Sequence, residues 1–147
     1  HRLDAVRRRG WLMSSPDVWT DAKARITAYA AAKPITVAWP NEPFVKPEPP
    51  APWLAVEAYG DGSEPIELGL EAAWLEEGSI DVHVMIPVGS GISAGLAIRK
   101  EVQDLFRGIE PTSLIYDGSA LNRLGPTADD KLYRPLTVRI FYLYQSR

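Results

Sequence analysis

The sequence predicts an α+β domain in which two helices pack on one face of a mostly antiparallel sheet of about five strands. Apolar residues recur at helical spacing in two segments and at every second position in several others. Turn sequences rich in Gly and Pro separate neighbouring strand-like segments, which favours antiparallel pairing. The 147 residues suffice for one domain with a buried core.

Two helices are predicted. The first begins at Ser15, an N-cap residue, with Pro16 at its first position, and it ends before Pro34. The second covers residues 90–107, with Ser90 as its cap and Gly108 as its C-terminal cap. The apolar positions that define them are Val18, Ala22, Ile26 and Tyr29 in the first, and Ala94, Ile98, Val102, Leu105 and Phe106 in the second.

The clearest strand is predicted over residues 80–86, where Ile80, Val82, Val84 and Ile86 alternate with more polar side chains. The other predicted strands are 35–39, 53–59, 66–75, 112–116 and 134–144. We expect turns at residues 60–63 and 76–78, and a polar loop over residues 117–131. Apolar residues on the second sheet face, which we assign to Trp74, Leu75, Met85, Phe141 and Leu143, indicate that a partner covers that face.

A proline-rich segment over residues 39–53 separates the first two strands and carries Trp39, Phe44 and Trp53. Proline fixes φ and removes a backbone donor, so this segment is neither a helix nor a central strand. Large aromatic side chains favour burial. The segment is therefore predicted to be a shaped loop that its aromatic residues anchor to the core.

Composition excludes several classes of protein. The net charge of −3 argues against a free-standing nucleic-acid binder. The absence of cysteine excludes a disulfide framework and thiolate metal sites. No apolar run is long enough to span a bilayer. Residues 1–14, with their basic run Arg7-Arg8-Arg9, are interpreted as an N-terminal leader or arm outside a single domain of residues 15–147.

The residues needed for catalysis are not found together. His83 stands alone on a strand, and the acid pairs Glu76-Glu77 and Asp129-Asp130 fall in predicted turns where carboxylates are solvated. The turn Gly89-Ser90-Gly91 lacks the lysine of a phosphate-binding loop. We therefore expect no enzyme activity, no cofactor and no metal, and a protein that works through shape and contact.

The order of several short motifs resembles the tail terminator-like family of long-tailed bacteriophages and prophages, which is related in fold to the tail terminator of phage lambda. The similarity covers roughly residues 15 to 145. The motifs are Trp39-Pro40-Asn41-Glu42-Pro43-Phe44, Trp53-Leu54-Ala55-Val56, Glu77-Gly78-Ser79-Ile80-Asp81-Val82, Ile86-Pro87-Val88-Gly89-Ser90-Gly91 and the helix end Leu105-Phe106.

The resemblance implies a structural virion protein that forms a homohexameric ring at the head-proximal end of the tail, after assembly in the host cytoplasm. Such a ring caps the tail tube, stops its polymerisation and offers a surface to the head–tail connector. Its partners would be other copies of itself, the major tail tube protein and the connector, while DNA passes through the lumen without specific binding and no membrane is involved. The parent particle would be a phage, a prophage remnant or a gene-transfer particle.

We expect the contacts with neighbours on the proline-rich segment and on the loop over 117–131. The candidate interface residues are Trp39, Pro40, Asn41, Phe44, Pro47, Trp53, Asp117, Asn122 and Arg123. A head–tail connector of a similar particle is a second interpretation. The third is a small enzyme with a site around His83 and that loop, where Tyr116, Asp117, Asn122 and Arg123 would supply polar groups.

Overall fold

The structure, a computed structural model, describes residues 15–65, 73–121 and 132–146. These residues form two helices and five strands. In chain order the elements are α1 (Pro16–Ala32), β1 (Thr36–Ala38), β2 (Trp53–Pro65), β3 (Trp74–Pro87), α2 (Ser93–Asp104), β4 (Leu114–Leu121) and β5 (Tyr133–Ser146).

The five strands form one sheet in the order β1-β2-β3-β5-β4. Short β1 runs parallel to β2, and every other pair is antiparallel. The long strand β3 lies in the centre and pairs along its whole length with β5. The edges of the sheet are therefore β1 on one side and β4 on the other.

Both helices pack on the same face of this sheet, which confirms the predicted fold class. Because strand side chains alternate between faces, the even-numbered residues of β3, of β5 and of β2 as far as Gly60 point toward the helices. Full burial of one aliphatic side chain stabilises a fold by about 1.5–3 kcal/mol. The fully buried members of this core include Val18, Ala22 and Ile26 of α1, Val102 of α2, and Leu54, Ile80, Val82, Val84 and Val138 of the sheet.

Helix α1 is tied to the sheet by its acidic side chains. The phenol of Tyr116 donates to Asp21 and that of Tyr144 donates to Asp17. Ser15 is the N-cap residue and Pro16 the first helical residue, as predicted, although the Ser15 hydroxyl makes no capping hydrogen bond. Instead, the backbone N–H of Ser15 donates to the Glu76 carboxylate at 3.2 Å.

Helix α2 is shorter than predicted at both ends. Its N-cap is Ile92, because the Ser90 hydroxyl is used to close the preceding turn on the carbonyl of Pro87 at 2.6 Å. The helix approaches the sheet closely at Gly95, where a Cβ would lie 2.5 Å from Ile86 Cγ2. A glycine at this position therefore permits the helix–sheet packing.

The predicted turns at 60–63 and 76–78 are wrong, since both segments are strand. β2 continues to Pro65, and its register with β3 shifts between Gly60 and Gly62. Gly78 lies inside β3, where a Cβ would be 2.1 Å from the Tyr59 carbonyl oxygen. Glycine is needed at position 78 because the neighbouring strand comes close there, and not because the chain turns. Most of the predicted strand over 66–75 lies outside the described residues.

Strand β4 also runs further than predicted. It continues past an irregularity between Tyr116 and Gly118 to Leu121, so the first five residues of the predicted loop over 117–131 are strand. The remaining ten residues of that loop, 122–131, lie outside the described part of the chain. The irregularity hides the strand's alternation in the sequence, because it changes which residues face the core.

Candidate interaction surface

The proline-rich loop passes around the β1 edge from one sheet face to the other. At its start, Trp39 packs edge-on against Trp19 of α1, with ring centroids 5.7 Å apart. Five residues later, Phe44 packs on Trp53, with centroids 4.7 Å apart, on the sheet face opposite the helices. Asn41 takes a positive φ of 57° between them, a conformation that asparagine tolerates better than most residues.

Aromatic contacts hold both ends of this loop, which confirms the predicted anchoring. Phe44, Trp53, Met85 and Tyr133 form a second cluster at one end of the sheet. On the helix side, the ammonium of Lys23 lies 5.1 Å from the Trp39 ring centroid and bonds Glu42 at 3.1 Å. The loop therefore has a defined shape within the subunit.

The candidate interface residues differ in how much surface they offer. Trp53 is only 7% exposed, while Trp39, Phe44 and Pro47 are half-buried. The exposed ones are Pro40 and Asn41 beside the β1 edge, and Asp117 on β4. Asn122 and Arg123 lie outside the described residues. The exposed candidates thus lie at opposite edges of the sheet.

The sheet face opposite the helices, here called the open face, carries the odd-numbered side chains of β3 and β5. At its centre Asp81 pairs directly with Arg139 across the two strands. The guanidinium donates to both carboxylate oxygens, at 3.0 to 3.2 Å. Asp81 is 3% exposed, and its hydrogen bonds raise the pKa of Arg139. The exposed guanidinium of Arg139 thus neutralises the buried carboxylate of Asp81.

His83 lies beside this pair and belongs to a polar network. Its Nδ1 is 2.7 Å from the Thr137 hydroxyl, and its Nε2 is 3.8 Å from a carboxylate oxygen of Glu57. The Tyr59 hydroxyl donates to the same Glu57 carboxylate, which raises the pKa of Tyr59 to about 12. The His83 side chain thus lies on the polar face, as the sequence alternation predicts.

Among the residues of the enzyme interpretation that the structure describes, Tyr116 and His83 lie on opposite faces of the sheet. Tyr116 points to the helix side, where it donates to Asp21, whereas His83 lies on the open face. Burial and the hydrogen bond to Asp21 raise the pKa of Tyr116, which opposes its use as a proton donor. Within the described ranges, no group of three or more His, Asp and Glu side chains could hold a metal. Neither described helix has the length and hydropathy of a membrane span.

The open face also has a shallow depression of about 250 Å³ beside Arg139, lined by Tyr59, Asp61, Ser79 and Phe141 as well. An apolar strip continues from it along the end of the sheet. Phe141 is 38% exposed, Ile115 is 39% exposed, and Leu143 pairs with Ile115 between β5 and β4. Sequence reasoning placed Phe141 and Leu143 on this face correctly, but the register places Trp74 on the helix side.

Comparison with known proteins identifies the family. One of the solved structures that match superposes with a TM-score of 0.65 at 17% sequence identity, over 90% of this chain and 97% of that chain, which shows a shared fold. Among curated proteins, none matches the sequence. The sequence profile of the phage tail terminator proteins matches residues 17–121, most of the chain. The chain therefore belongs to the phage tail terminator family and is a structural component of a phage tail.

Proposed function

We propose that this protein closes into a ring, most simply of six copies, on the head-proximal end of the tail tube. The observation that carries the proposal is the position of the exposed candidate residues at two unlike sheet edges. Pro40 and Asn41 lie beside β1, and Asp117 lies on β4. Two different surfaces on opposite sides of a subunit suit a head-to-tail contact, and such contacts generate rings when the rotation closes.

The ring ends tube growth because it replaces one repeating surface by another. A polymer built from identical contacts keeps growing while its end offers the same binding surface. Growth stops when a different subunit binds that end and presents an outer surface that the next polymer subunit cannot bind. In this proposal the domain of residues 15–147 binds the last ring of the major tail tube protein. Its other surface then receives the head–tail connector.

Duplex DNA passes through the lumen of this ring without being held. Phosphate contacts need Lys and Arg, whereas residues 15–147 carry 12 basic and 18 acidic side chains. An acidic lumen repels the DNA backbone and favours sliding.

The decisive experiment removes the gene from the parent particle and measures tail lengths by electron microscopy. We expect tails of variable and excessive length that fail to join heads, and recovery of the normal length when the wild-type protein is supplied. Tails of normal length that fail to join heads would support a connector instead. Tails of normal length joined to heads would refute both roles.

A further inference from the structure

We propose that residues 1–14 of one copy bind the open face of a neighbouring copy. The inference deepens the proposed function and rests on it for the head-to-tail order of the copies. It identifies what covers the middle of the open face. No described part of the chain covers that region, which runs from the cluster of Phe44, Trp53, Met85 and Tyr133 to Ile115 at the other end of the sheet.

Charge complementarity is the first argument. Between β2 and β5 the open face carries five acids and one arginine, and hence a net charge of −4 with His83 counted as neutral: Glu57, Asp61, Glu64, Glu77, Asp81 and Arg139. Lys46 of the proline-rich loop lies at the far end of this face, over the Tyr133 ring. The first fourteen residues carry four arginines and one acid, a net charge of +3, in a chain whose remainder carries −6: Arg2, Arg7, Arg8, Arg9 and Asp4. Arginine is suited to such a site because its planar fork binds carboxylates through two hydrogen bonds.

The order of apolar and charged residues is the second argument. In the arm, Trp11-Leu12-Met13 follows the three arginines after a single glycine, Gly10. On the open face, the apolar strip of Ile115, Phe141 and Leu143 lies next to the acidic region around Asp81. Leu143 is four positions after Arg139 and Leu12 is four positions after Arg8, so both spacings are about 13 Å in extended chain.

The position of Ser15 favours a neighbouring copy over the same chain. The Ser15 N–H donates to Glu76, whose carboxylate also accepts from Tyr142 of the helix-side core. The arm therefore starts on the helix side, and the open face of its own subunit is reached only around the sheet. Fourteen residues span at most about 50 Å, which is ample to cross an edge-to-edge contact and reach the open face of the next copy.

The first test compares self-association of the full chain with that of a variant lacking residues 1–14, using native mass spectrometry and sedimentation. We expect at least tenfold weaker association without the arm, and weaker association of the full chain in high salt. A second variant, Glu57→Gln, Asp61→Asn and Glu77→Gln, leaves the Asp81–Arg139 pair intact. It should weaken association to a similar degree, with little further loss when the arm is also removed. Additive losses, or no loss in either variant, would overturn the proposal.

A cysteine pair tests which copy is bound, because the chain has no native cysteine. Copies with Leu12→Cys are mixed with tagged copies carrying Leu143→Cys, and a disulfide between the two is expected. The matched control, Lys100→Cys on exposed α2, should not cross-link with Leu12→Cys. A further variant carries both substitutions in one copy. If a disulfide forms only within single copies of that variant, the arm binds its own chain and the proposal is overturned, as it is if no disulfide forms at all.

The two proposals can fail separately. If the variant lacking residues 1–14 still forms rings as tightly as the full chain and still ends tails at normal length, the arm proposal fails and the terminator proposal stands. If gene deletion leaves tails normal, the terminator proposal fails whatever the arm binds.

Discussion

Arg139 makes a bidentate contact with Asp81 at the centre of the open face, where the two residues lie directly opposite each other on β5 and β3. The carboxylate is buried and the side chain of its partner is 53% exposed. The buried carboxylate thus depends on one side chain that solvent reaches, so loss of that side chain leaves a buried charge without its partner.

Replacing that arginine should destabilise the fold. Arg139→Met leaves the buried Asp81 carboxylate without its partner, and we expect a loss of about 2 kcal/mol in the free energy of unfolding. Adding Asp81→Asn should recover part of the loss because the unpaired charge disappears. Urea unfolding measures both. Lys100→Met, which breaks only the exposed pair with Asp104, is the control and should have no measurable effect. Equal effects of Arg139→Met and Lys100→Met would contradict the assignment.

The proline-rich loop offers a matched pair of neighbours. Phe44 packs on Trp53, whereas Val45 is 87% exposed. Phe44→Ala should lower the free energy of unfolding by about 1–2 kcal/mol, since a half-buried ring and its aromatic contact are lost. Val45→Ala should leave stability unchanged. Thermal and urea unfolding of the two variants would reject the anchoring role of Phe44 if they behaved alike.

Stiffness of the same loop should matter for assembly more than for folding. Replacing residues 47–50 by a glycine–serine sequence should leave the thermal unfolding temperature within a few degrees, because the aromatic anchors remain. It should weaken ring formation, since a stiff loop loses less entropy on docking. Native mass spectrometry measures the ring. Unchanged assembly would mean that the loop only connects β1 to β2.

The close approach of α2 to the sheet predicts that alanine at position 95 destabilises the protein, although alanine usually stabilises a helix relative to glycine. Gly95→Ala should destabilise the protein by about 1–3 kcal/mol, because its Cβ would lie 2.5 Å from Ile86 and 2.8 Å from Leu136. Alanine otherwise stabilises helices by about 1 kcal/mol relative to glycine. Ala97→Gly, on the exposed side of α2, measures that propensity alone. A more stable Gly95→Ala variant would show that the helix sits further from the sheet.

Alkaline pH should reveal the phenol–carboxylate bonds. The pKa values of Tyr59 and Tyr144 are raised chiefly by hydrogen bonds to Glu57 and Asp17, and that of Tyr59 reaches about 12. The pKa values of Tyr29 and Tyr116 are raised first by burial. Since an unfolded phenol ionises near 10, this stabilisation is complete below pH 10 and is lost as pH rises through the folded values.

Ultraviolet titration of tyrosinate tests this directly. The folded protein should ionise most of its tyrosines above pH 10, and denaturant should bring them back to the ordinary value. Tyr59→Phe should remove one late-titrating group without changing the others. Ionisation of every tyrosine at the ordinary pKa in the folded protein would contradict these contacts.

The sequence predicts the parts of this fold that depend on periodicity and misses those that depend on pairing. Apolar spacing predicts helix α1 and the core of β3, and the structure confirms both. Gly62 and Gly78 indicated turns, because a sequence does not distinguish a glycine that bends the chain from one that lets another strand approach. The Asp81–Arg139 contact needed the register of β3 on β5, which arises from residues about sixty positions apart.

A protein whose sheet has open edges is at risk of aggregation through those edges. An exposed strand edge can recruit further copies and grow into fibres. Here β1 is only three residues long and runs into prolines, while the ladder of β4 is interrupted between Tyr116 and Gly118. Both features discourage open-ended strand addition. A subunit that we propose ends one polymer is thereby kept from starting another.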